Sequence, residues 1–226
     1  MFKNLLNLFF PKSCAGCTSF LLKNEVVICT TCRHEIPLTN HHKTKNNDAI
    51  GKFYGRIPLE FASALFYFHK KGIVQELIHK LKYKGHQEIG NAIGFWYAEE
   101  LKSVAEIDEV DFIIPVPLHK KRFKERGYNQ VTEFGKALSD GLKIEYNEAI
   151  LERSIYSDTQ VRKNINQRSD VTESVFKINS HEKLHNKHFL LIDDVITTGA
   201  TLESCGREIL KIPGAKLSIV CMAMTQ

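Results

Sequence analysis

The sequence predicts an α/β domain, a parallel sheet flanked by helices, with a small metal-bound ribbon ahead of it. Three observations carry that expectation. Residues 190–202 read LLIDDVITTGATL, the pattern of a buried strand, a tight loop and a helix start. Apolar strand-like runs are interleaved with helical stripes through the middle of the chain. Finally, Cys14 and Cys17, then Cys29 and Cys32, form two CxxC turns separated by an eleven-residue spacer.

With 226 residues and 43% hydrophobic content, the chain is long enough for one α/β domain and a small appendage. Its net charge of +5 allows a polyanionic partner without demanding one. The start, MFKNLLNLFFPKSC, has no continuous apolar region followed by a small-residue cleavage site. No stretch reaches the roughly eighteen apolar residues of a membrane-spanning helix. The chain is therefore read as cytoplasmic. Phe2, Leu5, Leu6, Phe9 and Phe10 form a short amphipathic helix that packs on the protein, a membrane-surface role being the alternative.

Each CxxC turn places two thiolates within reach of one ion, and two turns complete a tetrahedral cage for Zn²⁺. Cys14, Cys17, Cys29 and Cys32 are thus expected to hold a structural zinc, with Glu25 to Ile28 as a short hairpin strand between the pairs. Disulfides and a thioredoxin-like redox role are the alternatives, disfavoured by the missing export signal and the missing βαβ context. Cys205 and Cys221 read as buried core residues. From Asn40 to Lys52, NHHKTKNNDAIGK is polar and aperiodic and reads as a linker, its His41 and His42 solvated rather than ligating.

Ala62 to Phe68 suits a strand in a small hood or edge sheet. Ile73 to Tyr83 and Glu88 to Val104 suit helices, with Trp96 and Tyr97 as core anchors. Lys80, Lys82 and Lys84 around Gly85 read as a solvated face, with a contact to ligand phosphates as the alternative. Asp111 to Leu118 is a buried strand ended by Pro115 and Pro117. The loop after it, 119–130, reads HKKRFKERGYNQ and gathers His119, Lys120, Lys121, Arg122, Lys124 and Arg126 around Phe123. With Val116 and Pro117 it is a candidate receptor for pyrophosphate or for single-stranded nucleic acid, with plain solvated charge as a third reading. Tyr128 to Leu142 is a helix. Ser154 to Asp170 is long and polar, a candidate lid in which Arg162, Lys163 and Arg168 close over an anion, or else a loop with no ligand role.

In 190–202, Asp193 and Asp194 emerge where open α/β sheets bind ligands, and two carboxylates there accept hydrogen bonds from sugar hydroxyls. Thr197, Thr198, Gly199, Ala200 and Thr201 offer backbone N–H groups, three hydroxyls and a helix N-terminus suited to a phosphate. A Walker B reading of LLIDD lacks its phosphate loop, because no GxxxxGK[ST] occurs in the chain.

At these residues the chain resembles the type I phosphoribosyltransferases. The resemblance implies that Asp193 and Asp194 hold the ribose 2′ and 3′ hydroxyls of phosphoribosyl pyrophosphate (PRPP) and that Thr197 to Thr201 hold its 5′-phosphate. It also implies Mg²⁺-assisted displacement of pyrophosphate. PVPLHKKRFKERGYNQ, TQVRKN and LLIDDVITTGATLESC, preceded by the four-cysteine ribbon, are together similar to the ComF family, which includes ComFC and GntX-like proteins. That resemblance implies residues 1–39 as N-terminal helix and zinc ribbon, 40–52 as linker and 53–226 as a phosphoribosyltransferase-like domain. The implied role is PRPP binding in DNA uptake during natural competence, with single-stranded DNA and a competence-machinery protein such as a helicase as candidate partners. The alternative is an active enzyme of nucleotide metabolism that transfers ribose 5-phosphate to a nitrogen acceptor; no catalytic base is assignable from the residues.

Overall fold

The computed structural model describes residues 11–154, 175–179 and 182–226. In chain order the elements are α1 (Thr30–Glu35), α2 (Asp48–Gly51), β1 (Phe61–Tyr67), α3 (Ile73–Tyr83), α4 (Glu88–Leu101), α5 (Ala105–Asp108), β2 (Phe112–Pro115), α6 (Lys120–Arg126), α7 (Thr132–Leu142), β3 (Glu145–Tyr146), β4 (Leu151–Arg153), β5 (Phe176–Ile178), β6 (His188–Ile196), α8 (Ala200–Ile209) and β7 (Lys216–Met224). Short 3-10 turns lie at His41–Lys43 and Glu182–Leu184.

Five strands form one sheet in the order β1-β7-β6-β2-β3, every pairing parallel. A parallel sheet needs cover on both faces, which is why β6 and β7 are almost continuously apolar. On one face lie α3, α4 and α7, with Leu77, Leu81, Ile93, Tyr97 and Phe134 packed on Leu190 and Ile192. The other face is covered by Phe53, Leu202, Cys205 and Ile209 together with Leu151 and Phe176 from the antiparallel pair β4–β5. Tyr97 is the expected anchor: fully buried, its hydroxyl bonds Ser63 on β1 and its ring stacks on Phe134 at 6.5 Å. Trp96 packs edge-on against Phe66 and carries the Arg33 guanidinium 4.6 Å from its ring centre.

Several expectations need correction. Glu25–Ile28 makes no strand; its apolar Val27 is buried against the core, and its carbonyl accepts from Ala15 N at 2.9 Å. The one bridge within the cysteine segment joins Ser13 to Phe20. Ala62–Phe68 belongs to no hood: β1 is the edge of the main sheet, and the small second sheet is β4–β5. The polar stretch 40–52 is anchored to the core at single residues, while 43–46 stay exposed. Asn47 caps α2 by accepting from Ile50 N and donates to Ala62 O, while His41 is buried against Tyr67 and accepts from Ala64 N. His42 faces Glu100 at 3.2 Å, so neither histidine is solvent-held. The basic stretch after β2 is not a loop but the seven-residue helix α6, and the next helix begins at Thr132 rather than Tyr128. β6 runs past Ile192 to Ile196, so both acids sit inside the strand.

The N-terminal segment Phe2 to Phe10 and the candidate lid residues Arg162, Lys163 and Arg168 lie outside the described residues. Among the described residues, no helix is long and apolar enough to cross a membrane.

Candidate functional site

The sheet order creates a switch point between its neighbours β2 and β6. From β2 the chain proceeds to β3 on one side, and from β6 it proceeds to β7 on the other, so the two exits diverge and leave a crevice at their carboxyl ends. Pro115, paired with Ile192, ends the β2 ladder, and Val116 N donates to Ile192 O at 2.9 Å as the chain leaves. Asn129 Nδ2 closes this exit by donating to Val116 O at 3.1 Å.

The acids occupy the crevice wall. Successive strand residues turn to opposite faces, and the pair is divided accordingly. Asp194, 5% exposed, accepts from Lys82 Nζ at 2.8 Å and from Gln130 Nε2 at 2.7 Å. Arg126 Nη1 in turn donates to Gln130 Oε1 at 2.6 Å, a relay that orients the amide. Among the described residues Asp193 has no such clamp; its Oδ1 accepts from Asp194 N at 2.8 Å. Dense surrounding protein and then the Asp194 charge push the Asp193 carboxyl up to about 7, against the smaller opposing pull of the Asp194 N–H and then of Lys82 and Arg122. One acid is thus held and paired, while the other is poised near neutrality.

Beyond the strand, Thr197, Thr198, Ala200 and Thr201 are exposed and Gly199 is buried. Gly199 adopts φ 75, which favours glycine, and a Cβ there would stand 2.8 Å from the Phe53 ring. Arg56 braces the same turn, donating to Thr198 O at 2.8 Å and to the Glu203 carboxylate, which also pairs with Arg207. The N-cap of α8, Gly199, has no side chain to cap with; Thr198 Oγ1 accepts from Ala200 N at 3.4 Å, and the other N–H groups of the first turn have no side-chain partner among the described residues.

Helix α6 divides the basic run by direction. His119 caps it by accepting from Lys121 N, and Gly127 ends it with φ 78; no residue of the helix is buried. Arg126 turns inward to Gln130 and lies 5.2 Å over the Tyr83 ring, and Arg122 is near enough to stabilise ionised Asp193. Lys120, Lys121 and Lys124 line a shallow concavity with Glu125, beside the half-exposed Phe123.

The four cysteines converge. Their Sγ atoms all lie within 4.8 Å of one another, and Cys17 and Cys29 are 3.6 Å apart. A tetrahedral ion with thiolate ligands needs about 3.8 Å between sulfurs. Gly16 N and Cys29 N point at Cys14 Sγ at 3.3 and 3.2 Å, and Cys32 N at Cys29 Sγ at 3.4 Å, donors that favour thiolates. Burial and the neighbouring sulfurs push Cys32 far up, whereas hydrogen bonds from Ser19 bring Cys17 down to about 6; a cation among the four favours ionisation of all of them. All four are free of disulfides, as are Cys205 and Cys221, both buried. The cluster is able to hold a metal ion.

Comparison with known proteins adds sequence kinship to this geometry. Residues 132–225 match the phosphoribosyl transferase domain. Competence protein ComFC of Bacillus subtilis is 26% identical over 206 residues, 85% of this chain and 81% of that protein. DNA utilization protein YhgH of Escherichia coli K12 is 26% identical over 152 residues, 66% of each chain. Competence protein F of Haemophilus influenzae is 28% identical over 140 residues, 60% of this chain and 61% of its own length. The chain is thus similar to competence and DNA-utilization proteins over most of its length and carries a match to the phosphoribosyl transferase domain. Among solved structures, the purine phosphoribosyltransferase of Pyrococcus horikoshii aligns with TM-score 0.39 and 24% identity over 60% of this chain and 73% of that one.

Arg126 is joined to Asp194 through Gln130, Arg122 is near enough to act on Asp193, Val116 leaves β2 beside Ile192, and the 197–201 turn follows the acids directly at the end of β6. Lys120 and Lys121 line a concavity with Lys124 and Glu125. Sequence reasoning missed Gln130 and the brace of Phe53 and Arg56, and it left Lys82 with the solvated face. The signal for Gln130 was present in RGYNQ, whose Tyr128 hydroxyl also bonds Leu81 O at the end of α3. Nothing in the local pattern marks Phe53 or Arg56, which act across 142 or more residues of chain.

Proposed function

We propose that this chain is a ComF-family protein that binds PRPP with Mg²⁺ in the crevice between β2 and β6 and serves the handling of single-stranded DNA during uptake. The observation that carries the reading is the succession of the acid pair, the exposed hydroxyl turn and a helix N-terminus with a glycine N-cap at one switch point. Asp193 and Asp194 take the ribose hydroxyls. Thr197, Thr198, Gly199, Ala200 and Thr201 take the 5′-phosphate through backbone N–H groups and hydroxyls. Val116, Pro117, Arg122 and Arg126 receive the pyrophosphate end. The chemistry that Mg²⁺ supplies when bound with PRPP is neutralisation of the pyrophosphate charge.

The competence and DNA-utilization names of the relatives support the DNA-uptake context. Lys120, Lys121 and Lys124 with exposed Phe123 form a surface of the kind that grips a single strand by charge and stacking. Cys14, Cys17, Cys29 and Cys32 hold one structural Zn²⁺; four thiolates leave no open position for chemistry. A competence helicase is a candidate protein partner.

Calorimetric titration with PRPP and Mg²⁺, followed by pyrophosphate-release assays with pooled bases, glutamine and oligonucleotides, tests the reading. Saturable PRPP binding together with salt-sensitive single-strand binding supports it. Absence of PRPP binding removes it, and turnover specific to one nitrogen acceptor replaces it with the enzyme reading.

A further inference from the structure

Helix α3 lies between the cysteine cluster and the acid pair and touches both. Ile73, at its first turn, packs against the cluster: a Cβ on Gly16 would meet Ile73 Cγ2 at 2.9 Å and Cys32 Sγ at 3.0 Å, so the CxxC turn is pressed onto the helix. Lys80 Nζ donates to the carbonyl of Ala15, inside the Cys14–Cys17 turn, at 2.8 Å. Lys82 Nζ reaches the other way, to Asp194 Oδ1 at 2.8 Å. Two residues apart on a helix means about 200° of rotation, so the two lysines project from nearly opposite sides. Val74, Leu77, Ile78 and Leu81 are buried in the core between these two contacts. Ala15 and Val27 of the cysteine segment belong to this same core, so the segment is not a free appendage.

The connection is rigid by construction. Both lysine contacts come from one eleven-residue helix, and the Lys82 ammonium and Asp194 carboxylate are largely shielded from solvent, with side chains 22% and 7% exposed. A buried charge whose partner moves is left uncompensated, which makes the Asp194 geometry sensitive to the position of α3.

We propose that metal occupancy of Cys14, Cys17, Cys29 and Cys32 sets the position of α3 and, through the positioning residue Lys82, the affinity of the Asp193–Asp194 pocket for PRPP. This rests on the PRPP reading of the pocket and on a metal at the cysteines. Lys82 acts on Asp194, not on the ligand's reacting atoms. The cysteine cluster is then a control site for the pocket rather than only a fold staple. By reciprocity, PRPP strengthens metal retention by the same factor.

The test uses the full chain, metal-loaded and metal-stripped, with two readouts: the PRPP dissociation constant in Mg²⁺, and backbone hydrogen exchange at residues 193–201 without ligand. In wild type, stripping is expected to weaken PRPP about tenfold, within the usual range for coupled sites, and to speed exchange at 193–201. Lys82→Met is expected to bind PRPP weakly whether or not metal is present, and Lys82→Arg, which keeps the ion pair, to restore metal sensitivity. Lys80→Met, with its cysteines intact and metal-loaded, is expected to speed exchange at 193–201 as well. Equal metal sensitivity in Lys82→Met and wild type overturns the proposal, as does unchanged exchange in folded, stripped wild type. If stripping unfolds the protein, Lys80→Met decides: unchanged exchange at 193–201 overturns it. Wild type that shows the exchange coupling yet never binds PRPP would instead overturn the ligand reading and leave the coupling standing.

Discussion

Replacing Asp193 by Asn is expected to stabilise the protein while disabling its pocket, and the gain should depend on pH. In the folded chain this carboxyl is pushed from an ordinary 3.8 up to about 7 by surrounding protein and by Asp194. A native acid with a raised pKa binds more protons than the unfolded chain between those two values. Stability therefore falls as pH rises from about 4 to about 7 and stays low above that. Each pH unit of displacement is worth about 1.4 kcal/mol, which gives a ceiling of about 4 kcal/mol. Partial exposure and the shared charge with Asp194 screen this, and about 2 kcal/mol is the expected burden at pH 8. Asn keeps the Oδ1 acceptor for Asp194 N and removes the charge. Urea melts of wild type and Asp193→Asn from pH 3 to 8.5 should show a difference near zero at the acid end, growing to about 2 kcal/mol at pH 8. In thermal melts that corresponds to about 4–8 °C for a chain of this size. A pH-independent difference, or a destabilised variant at pH 8, would refute the assignment of a strained, poised carboxyl.

Gly199→Ala should cost about 1–2 kcal/mol from the left-handed backbone alone, with the clash against Phe53 added and PRPP affinity lost; urea melts and calorimetry check both. Arg56→Ala removes the contacts to Thr198 O and Glu203, and should weaken PRPP binding more than it lowers stability; retained affinity would show that the turn needs no brace. Replacing Lys120, Lys121 and Lys124 together by Ala should flatten the salt dependence of oligonucleotide binding and leave PRPP affinity within about twofold. Arg122→Ala should do the reverse, so fluorescence anisotropy and calorimetry separate the two faces of α6. Cys29→Ser should release the metal, read by elemental analysis, and reduce stability by several kcal/mol.

What the chain showed in advance was whatever is contiguous. LLIDDVITTGATL carries strand, turn and helix in one window, the paired CxxC turns carry their own ligand geometry, and Ile73–Tyr83 has a regular apolar stripe that matches α3 residue for residue. Contacts between distant segments were hidden. Lys82 and Gln130 lie 112 and 64 residues from Asp194, and nothing local distinguishes Lys82 from Lys80 and Lys84. The 40–52 stretch looked like a linker because its helices are too short for a periodic stripe; its order comes from single residues, His41, Asn47 and Ala49, each packed on or bonded to β1 or its neighbours. Helix α6 was missed for the opposite reason: it has no buried face, so hydrophobic periodicity is silent there. Val27 looked like part of a strand because burial and alternation read alike over so few residues, yet the core takes it without a ladder.

The central claim is that the Asp193–Asp194 crevice holds PRPP. Calorimetric titration of PRPP in Mg²⁺ into wild type and into the Asp193→Asn, Asp194→Asn double variant tests it most directly. Losing two charged acceptors at about 1.5–3 kcal/mol each predicts binding weakened by at least a hundredfold in the variant. Equal affinity in the two proteins, with the variant folded, would contradict the account.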